Sequence, residues 1–367
     1  MTGVQTCALP ILTQHTVAIQ QVQHILQGVR HQGRDIAPLL QRAGIPPALL
    51  DAPLARVSLV QYALLIRALR RCTRDELWGL CSRPLRLGSF GECAAALVRC
   101  GNLEDALRQG FRYFHGLLDD FVPRLLLQDG LARVQIVRRN APDARVDPAR
   151  VDYAQKAFLL FAFGLASWLV ARRVPVLAVD YTEPAQGSDS SRVYQAPIHH
   201  GAAHIGLRFE ARWLALPVVQ SPQSLHEFLA SAPANLLIRY RDPSSVSERI
   251  RRLLGRQLLG GQRAMDPLPG GAGLLAAGGE LPSIEAVGAL LAMTPQTLRR
   301  RLRDEGHGFQ ALKDALRRDT AIELLARPEL TLIAIANRLG FSEASTFHRA
   351  FKHWTGVAPG EYRQTRL

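Results

Sequence analysis

One arrangement occurs twice in the last third of the chain, and it constrains the fold more than any other feature. In SIEAVGALLAMTPQTLRRRLRDEG, Ser283 is placed to cap a helix and the chain turns through Ala292-Met293. Thr294 then caps a second helix with Pro295 at its first position, where the missing N–H costs nothing. In TLIAIANRLGFSEASTFHRAFKHWTG, Thr331 caps, Gly340 turns and Ser342 caps again. A small residue, Gly288 or Ala336, falls where each pair of helices should cross closely. The pattern predicts two helix-turn-helix units, at about 283–305 and 331–355.

The second helix of each pair carries the informative polarity. Leu298 and Leu302 face inward, leaving Gln296, Arg299, Arg300 and Arg303 on the other faces. In the later pair Phe347, Phe351 and Trp354 face inward and Ser345, His348, Arg349 and Lys352 outward. Arginine can take guanine O6 and N7 together, and glutamine can do the same with adenine N6 and N7. A solvated arginine face on a helical bundle would account for one such copy; two in series favour a nucleic-acid surface. Between the pairs, FQALKDALRRDTAIELLAR predicts a continuous helix of about 18 residues, roughly 27 Å long. Successive major grooves on one face of B-DNA recur every ~34 Å, so a stiff spacer of this length could offer both prongs to neighbouring grooves.

Upstream, the texture differs. From about Val17 to Leu118 the pattern is helical: LVQYALLIRALRR puts Leu59, Tyr62, Ala63, Ile66 and Leu69 on one stripe. Asn102 is a predicted N-cap with acidic residues in the turn behind it. Then the period changes. RLLLQDGLARVQIV holds Asp129-Gly130 between two apolar runs, a hairpin signal. A core helix around Ala157–Val170 and two further strands, VPVLAVDY and AAHIGLRFE, follow, the strands separated by a polar loop through Gly187–Ser191. The expected fold is an α+β N-terminal domain followed by an all-α C-terminal domain, in which a linker helix joins two helix-turn-helix units. The expected boundaries are 12–240 and 241–367. In the second domain Pro243 breaks the chain, Ser244 or Ser245 caps an arginine-rich helix, and a flexible glycine-rich loop occupies 260–279. Residues 1–11, MTGVQTCALPI, look like a translated sequencing adapter and are set aside.

A net charge of +14 and a pI near 10.4 point to an anionic partner, nucleic acid before membrane. With only three lysines, Lys156, Lys313 and Lys352, nearly all of this charge is arginine, which a GC-rich genome would also produce. The longest apolar run, AFLLFAFGLASWLV, is too short to span a bilayer, so no membrane partner is expected. The five cysteines show no CxxC pair, and buried reduced thiols are expected. His200 and His204 are spaced like ligands, but in a strand-and-loop setting. No metal, cofactor or catalytic residue is expected, since nucleotide-binding, hydrolase and zinc-protease motifs do not occur in the chain.

The run RAFKHWTGVAPGEYR holds R-x-F-K-x3-G-x2-P-x2-Y-R through Arg349, Phe351, Lys352, Gly356, Pro359, Tyr362 and Arg363. It resembles the C-terminal signature of AraC/XylS-type transcription regulators. ARVSLVQYALLIRAL, RPLRLGSF, TEPAQGSDSSRVYQAPIHHGAAHIGLRF and LHEFLASAPANLL are similar to the arabinose-binding-type sensor of one branch of that family. The resemblance covers nearly all of Val17–Leu367. It implies a cytoplasmic, nucleoid-associated bacterial regulator, usually an activator, with promoter DNA, RNA polymerase and an unidentified small effector as partners. It leaves homodimerisation open. Carried over by position, the base-facing residues are Gln296, Arg299, Arg300, Ser345, His348 and Arg349, with Thr297, Arg303 and Lys352 beside them. The chain departs from the family pattern at one corner: Ala292 stands where glycine is usual and Gly288 where alanine is. A left-handed alanine costs about 1 kcal/mol, so strain is expected there.

Two rivals remain at this level. One is a DNA-repair alkyltransferase, with a reactive cysteine joined to a helix-turn-helix module; it would need an activated thiolate beside a histidine. Cys72, Cys81, Cys93 and Cys100 lack a Pro-Cys-His setting. The other is a DNA-binding protein without an effector, its first domain serving only for dimerisation.

Overall fold

The computed structural model describes residues 16–139, 147–184, 194–231, 245–259, 281–305 and 308–364. The adapter-like start, the polar loop at 187–191, Pro243, Ser244 and the loop at 260–279 lie outside the described residues. Seven strands are present among them: β1 (Thr16–Ala18), β2 (Arg56–Ser58), β3 (Phe121–Gln128), β4 (Leu131–Arg138), β5 (Ala178–Asp180), β6 (Ile198–His199) and β7 (Ile205–Glu210). The chain divides into two compact units that are not sequential. One takes residues 21–43 and 63–241; the other combines residues up to 20 with 44–62 and 242–367.

In the first unit, five strands form one sheet in the order β3-β4-β7-β5-β6. β3 and β4 pair antiparallel to the last residue, Gln128 opposite Leu131. The two residues between them, Asp129 and Gly130, have φ of +52° and +74°. A two-residue turn with both central φ positive matches the right-handed twist of its strands, which is why Asp-Gly marks it in sequence. Asn102 caps the helix Leu103–His115 by accepting from the Asp105 N–H at 2.9 Å. The core helix is longer than its apolar run, Pro148–Leu169, because Asp147 caps it from the Ala149 N–H and Pro148 opens its first turn. Its Phe158 is buried edge-on to Phe114 and Phe121, with ring centroids 5.0 and 5.7 Å away. Among the described residues, no helix is long and apolar enough to cross a membrane.

Among its described residues the second unit is helical except for one ribbon and the connecting turns. Its helices are Val246–Leu259, Ile284–Leu290, Pro295–Asp304, Phe309–Leu325, Leu332–Arg338, Ala344–Thr355 and Pro359–Gln364. Ser245 caps the first of them from the Glu248 N–H, and the Glu305 carboxylate accepts from the N–H groups of Val246 and Ser247 at 2.7 and 2.9 Å. A carboxylate at a helix N-terminus meets both unpaired donors and the positive end of the dipole. The linker helix Phe309–Leu325 buries Leu312, Leu316, Ile322 and Leu325.

The ribbon departs from the all-helical reading of Val17–Leu118. β1 and β2 pair antiparallel, Thr16 opposite Ser58, and β2 packs on the linker helix. Thr16 Oγ1 donates to Asp319 on that helix at 2.7 Å and accepts from Arg56 Nε at 2.7 Å. Tyr362 of the last helix donates to the Arg56 carbonyl at 3.0 Å. Asp319 is buried, which by itself would raise its pKa; the guanidinium groups of Arg318 and Arg56, the Thr16 hydroxyl and Arg251 instead hold it below the ordinary carboxylate value. Its contribution to stability is present above about pH 4 and is lost as the pH falls through the depressed value.

Candidate nucleic-acid interface

Both corners are built by the same backbone bonds. In the first, Ser283 accepts from the Ala286 N–H at 3.3 Å to start the supporting helix. That helix ends with Met293 N–H donating to the Gly288 carbonyl at 2.9 Å and Ala292 N–H to Ala289 at 3.2 Å. In the second, Thr331 accepts from the Ala334 N–H at 3.1 Å. Phe341 N–H reaches Ala336 at 3.0 Å and Gly340 N–H reaches Asn337 at 3.1 Å. This is the six-to-one and five-to-two closure of a helix whose next residue turns left-handed. Ala292 takes that conformation with φ of +53°, Gly340 with +79°. The alanine strain expected from the sequence is therefore present in the first corner.

The recognition helices start differently. Thr294 accepts from the Thr297 N–H at 3.2 Å, and Pro295 follows it. The second helix does not start on Ser342 as the sequence suggests: its cap is Glu343, whose side chain makes no capping bond. Leu298 lies six residues past its corner and Phe347 seven past its own, so the extra residue is taken up before the helix begins.

Leu298, Leu302, Phe347 and Phe351 are fully buried. Trp354 is only half-buried, 6.1 Å from Phe341 between ring centroids, so its inward assignment holds in part. Gln296, Arg299, Arg300 and Arg303 are exposed, and Thr297 is half-exposed with its hydroxyl 2.9 Å from that of Thr294. Ser345, Arg349 and Lys352 are exposed; His348 is half-buried, edge-on to Phe347. Each helix thus presents a polar and basic face opposite its buried stripe. Two carboxylates stand beside these faces. Glu285 lies 3.6 Å from Arg299, and Glu343 accepts from Ser345 Oγ at 3.0 Å. Both partners of the Arg299–Glu285 pair are solvent-exposed, so it is weak and leaves Arg299 able to exchange it for a phosphate or a base. Arg301 and His353 are exposed on the same two helices and fall outside the expected set; their exposure and their basic side-chain type are what would add them.

Among the described residues the other sequence candidates do not assemble into a reactive centre. Burial pushes the Cys93 thiol up to about 12 and raises those of Cys81 and Cys100, the reverse of the activation a transferase thiolate needs. His200 Nδ1 lies 3.2 Å from the Glu183 carbonyl. Among the described residues no group of three or more histidine, cysteine or acidic side chains is placed to hold a metal.

Residues 33–218 match the model of the arabinose-binding domain of AraC transcription regulators, and 287–365 match that of a helix-turn-helix domain. The chain belongs to the AraC family of transcription regulators. It is 24% identical over 355 residues to the ornithine utilization regulator of Pseudomonas aeruginosa, covering 96% of this chain and 97% of that protein. A helix-turn-helix regulator of Mycobacterium tuberculosis is 29% identical over the same shares of the two chains. Among solved structures, the transcriptional regulator CdpR of Pseudomonas aeruginosa is 18% identical over 95% of this chain, with a TM-score of 0.29. The two curated relatives bear the names of regulators. Like them, this AraC-family chain is a DNA-binding transcription regulator with a ligand-binding N-terminal domain.

Proposed function

We propose that the two recognition helices enter successive major grooves of one promoter, and that a small effector in the N-terminal unit controls this engagement, usually to activate transcription. The supporting observation is the pair of corners joined by a single 17-residue helix, about 26 Å of rigid backbone, each corner presenting exposed arginine. In this reading Gln296, Arg299 and Arg300 read bases in one groove and Ser345, His348 and Arg349 in the next, while Thr297, Arg303 and Lys352 position the backbone. The regulator acts in the cytoplasm on nucleoid DNA, with RNA polymerase as its downstream partner. Effector binding shifts the population of DNA-competent arrangements by its differential affinity for them.

Sequence-enrichment binding of the purified chain on random duplexes tests the core of this reading. The expected result is an asymmetric site with two conserved blocks about one helical turn apart, and binding that weakens steeply with salt. A short single block, or a palindrome, would overturn the two-groove arrangement.

A further inference from the structure

The N-terminal unit encloses a cavity of about 250 Å³. Roughly 150 Å³ is enough to admit a benzene ring, so this space has room for a ring with a short chain. Its wall is drawn from residues as far apart as Ile66 and Leu229, with Phe90, Phe111, Phe158 and Phe161 among them. Among the described residues that line it, Arg70, Glu76, Trp78 and Cys93 are those with polar atoms in their side chains. No serine, threonine, asparagine, glutamine or histidine lines it among the described residues.

Two of those polar groups are already committed. Glu76 accepts from Arg70 Nη2 at 3.1 Å, from the Gly88 N–H at 2.9 Å and from the Phe90 N–H at 2.7 Å. Its carboxylate is satisfied and matches the Arg70 charge, so the pair brings no net charge to the wall. The neighbouring Asp75 folds the same loop by accepting from the N–H groups of Leu77, Gly79 and Leu85. Trp78 is different. It is 2% exposed, sits at φ of +57° and has its indole N–H buried without an acceptor. Bulky residues seldom adopt a positive φ, and the indole nitrogen has almost no accessible surface, so a molecule in the cavity does not reach it. The loop has little freedom to move away from it: a Cβ on Gly28 would stand 2.1 Å from the Trp78 carbonyl.

We propose that this cavity is the effector site, and that it takes a neutral, largely apolar molecule, an aromatic ring or short aliphatic chain. A sugar would bury hydroxyls with no partners in such a wall, and a diamine or amino acid would bury unmatched charge. The name of the matched sensor model therefore does not describe the chemistry of this wall. The regulatory meaning of the site rests on the effector-responsive reading above; the binding itself does not.

The test uses the full chain and four probes: acetophenone, its near-isostere ethylbenzene, L-arabinose and L-ornithine. Calorimetric titration should show both aromatic probes binding and neither arabinose nor ornithine. Ala162→Phe, which fills the space, should abolish the aromatic binding. Should Ala162→Phe fail to fold, the order of the four probes on the unaltered chain still decides. Binding of arabinose or ornithine but not the aromatic pair would overturn the assignment. Repeating the titration beside a duplex chosen by sequence enrichment separates the two readings. Aromatic binding that leaves duplex affinity unchanged keeps the cavity assignment and removes effector control. Intact duplex binding with no probe bound keeps the DNA reader and removes the cavity assignment.

Discussion

The two helix-turn-helix units solve one geometric problem with opposite choices of residue. The first places glycine inside its supporting helix, at Gly288, and alanine at the left-handed corner, at Ala292; the second has Ala336 and Gly340 at the same two places. The closing hydrogen bonds are the same, but the backbone around them is not identical, and the cost is placed differently. At Gly288 the path is tight: a Cβ there would lie 2.7 Å from the Met293 carbonyl oxygen. The first unit therefore carries a glycine in a helix and a strained alanine at a corner. The second avoids both and packs its reading helix on Phe347, Phe351 and the Tyr362 ring instead of on two leucines. Similar backbones need not be equally stable, and the first unit should be the looser of the two.

The largest test of that difference is in the cores. Phe351→Ala should cost about 3–5 kcal/mol and Leu298→Ala about 2–5 kcal/mol. Hydrogen exchange on the two reading helices should show the loss confined to the unit carrying the change, and spread over both would mean that they unfold as one. Next, Gly288→Ala should destabilise the first unit by about 1–3 kcal/mol through overpacking, while the reciprocal Ala336→Gly should cost the second only about 1 kcal/mol in helix propensity. Equal effects would show that the corners are not placed as described. Replacing Arg300 by alanine should remove roughly 1–3 kcal/mol of discrimination at one base position, and Arg349→Ala should do so in the other block of the site. A uniform loss of affinity on all duplexes would assign either arginine to phosphate alone. The smallest effect is at the corners: Ala292→Gly should stabilise by about 1 kcal/mol, and Gly340→Ala should destabilise by a similar amount, both read as a shift in urea midpoint.

The corners were legible because caps and turns act over a few residues. Ser283, Thr294 and Thr331 each accept from the backbone N–H three positions on, as their residue types and places suggest. Asp129-Gly130 was legible for the same reason. Ser342 misled because a residue of capping type one place too early is indistinguishable in sequence from the true start at Glu343. The ribbon could not be read at all: strands of three residues carry too little periodicity, and what holds them, Asp319 and Tyr362, lies about 300 positions away. The cavity escaped for a related reason, since its wall is assembled from residues spread between Ile66 and Leu229 and shares no linear motif.

That ribbon makes the gene's left end part of the reader. The polypeptide leaves the DNA-reading unit after residue 20, returns from 44 to 62, and comes back for good only at 242. A fragment starting at 241 would be born with Asp319 stripped of Thr16 and Arg56, an anion enclosed with fewer mates. Grafting a foreign sensor onto such a fragment would transplant an incomplete module, so exchange of specificities by simple tail swapping should favour crossovers that carry the first sixty residues along.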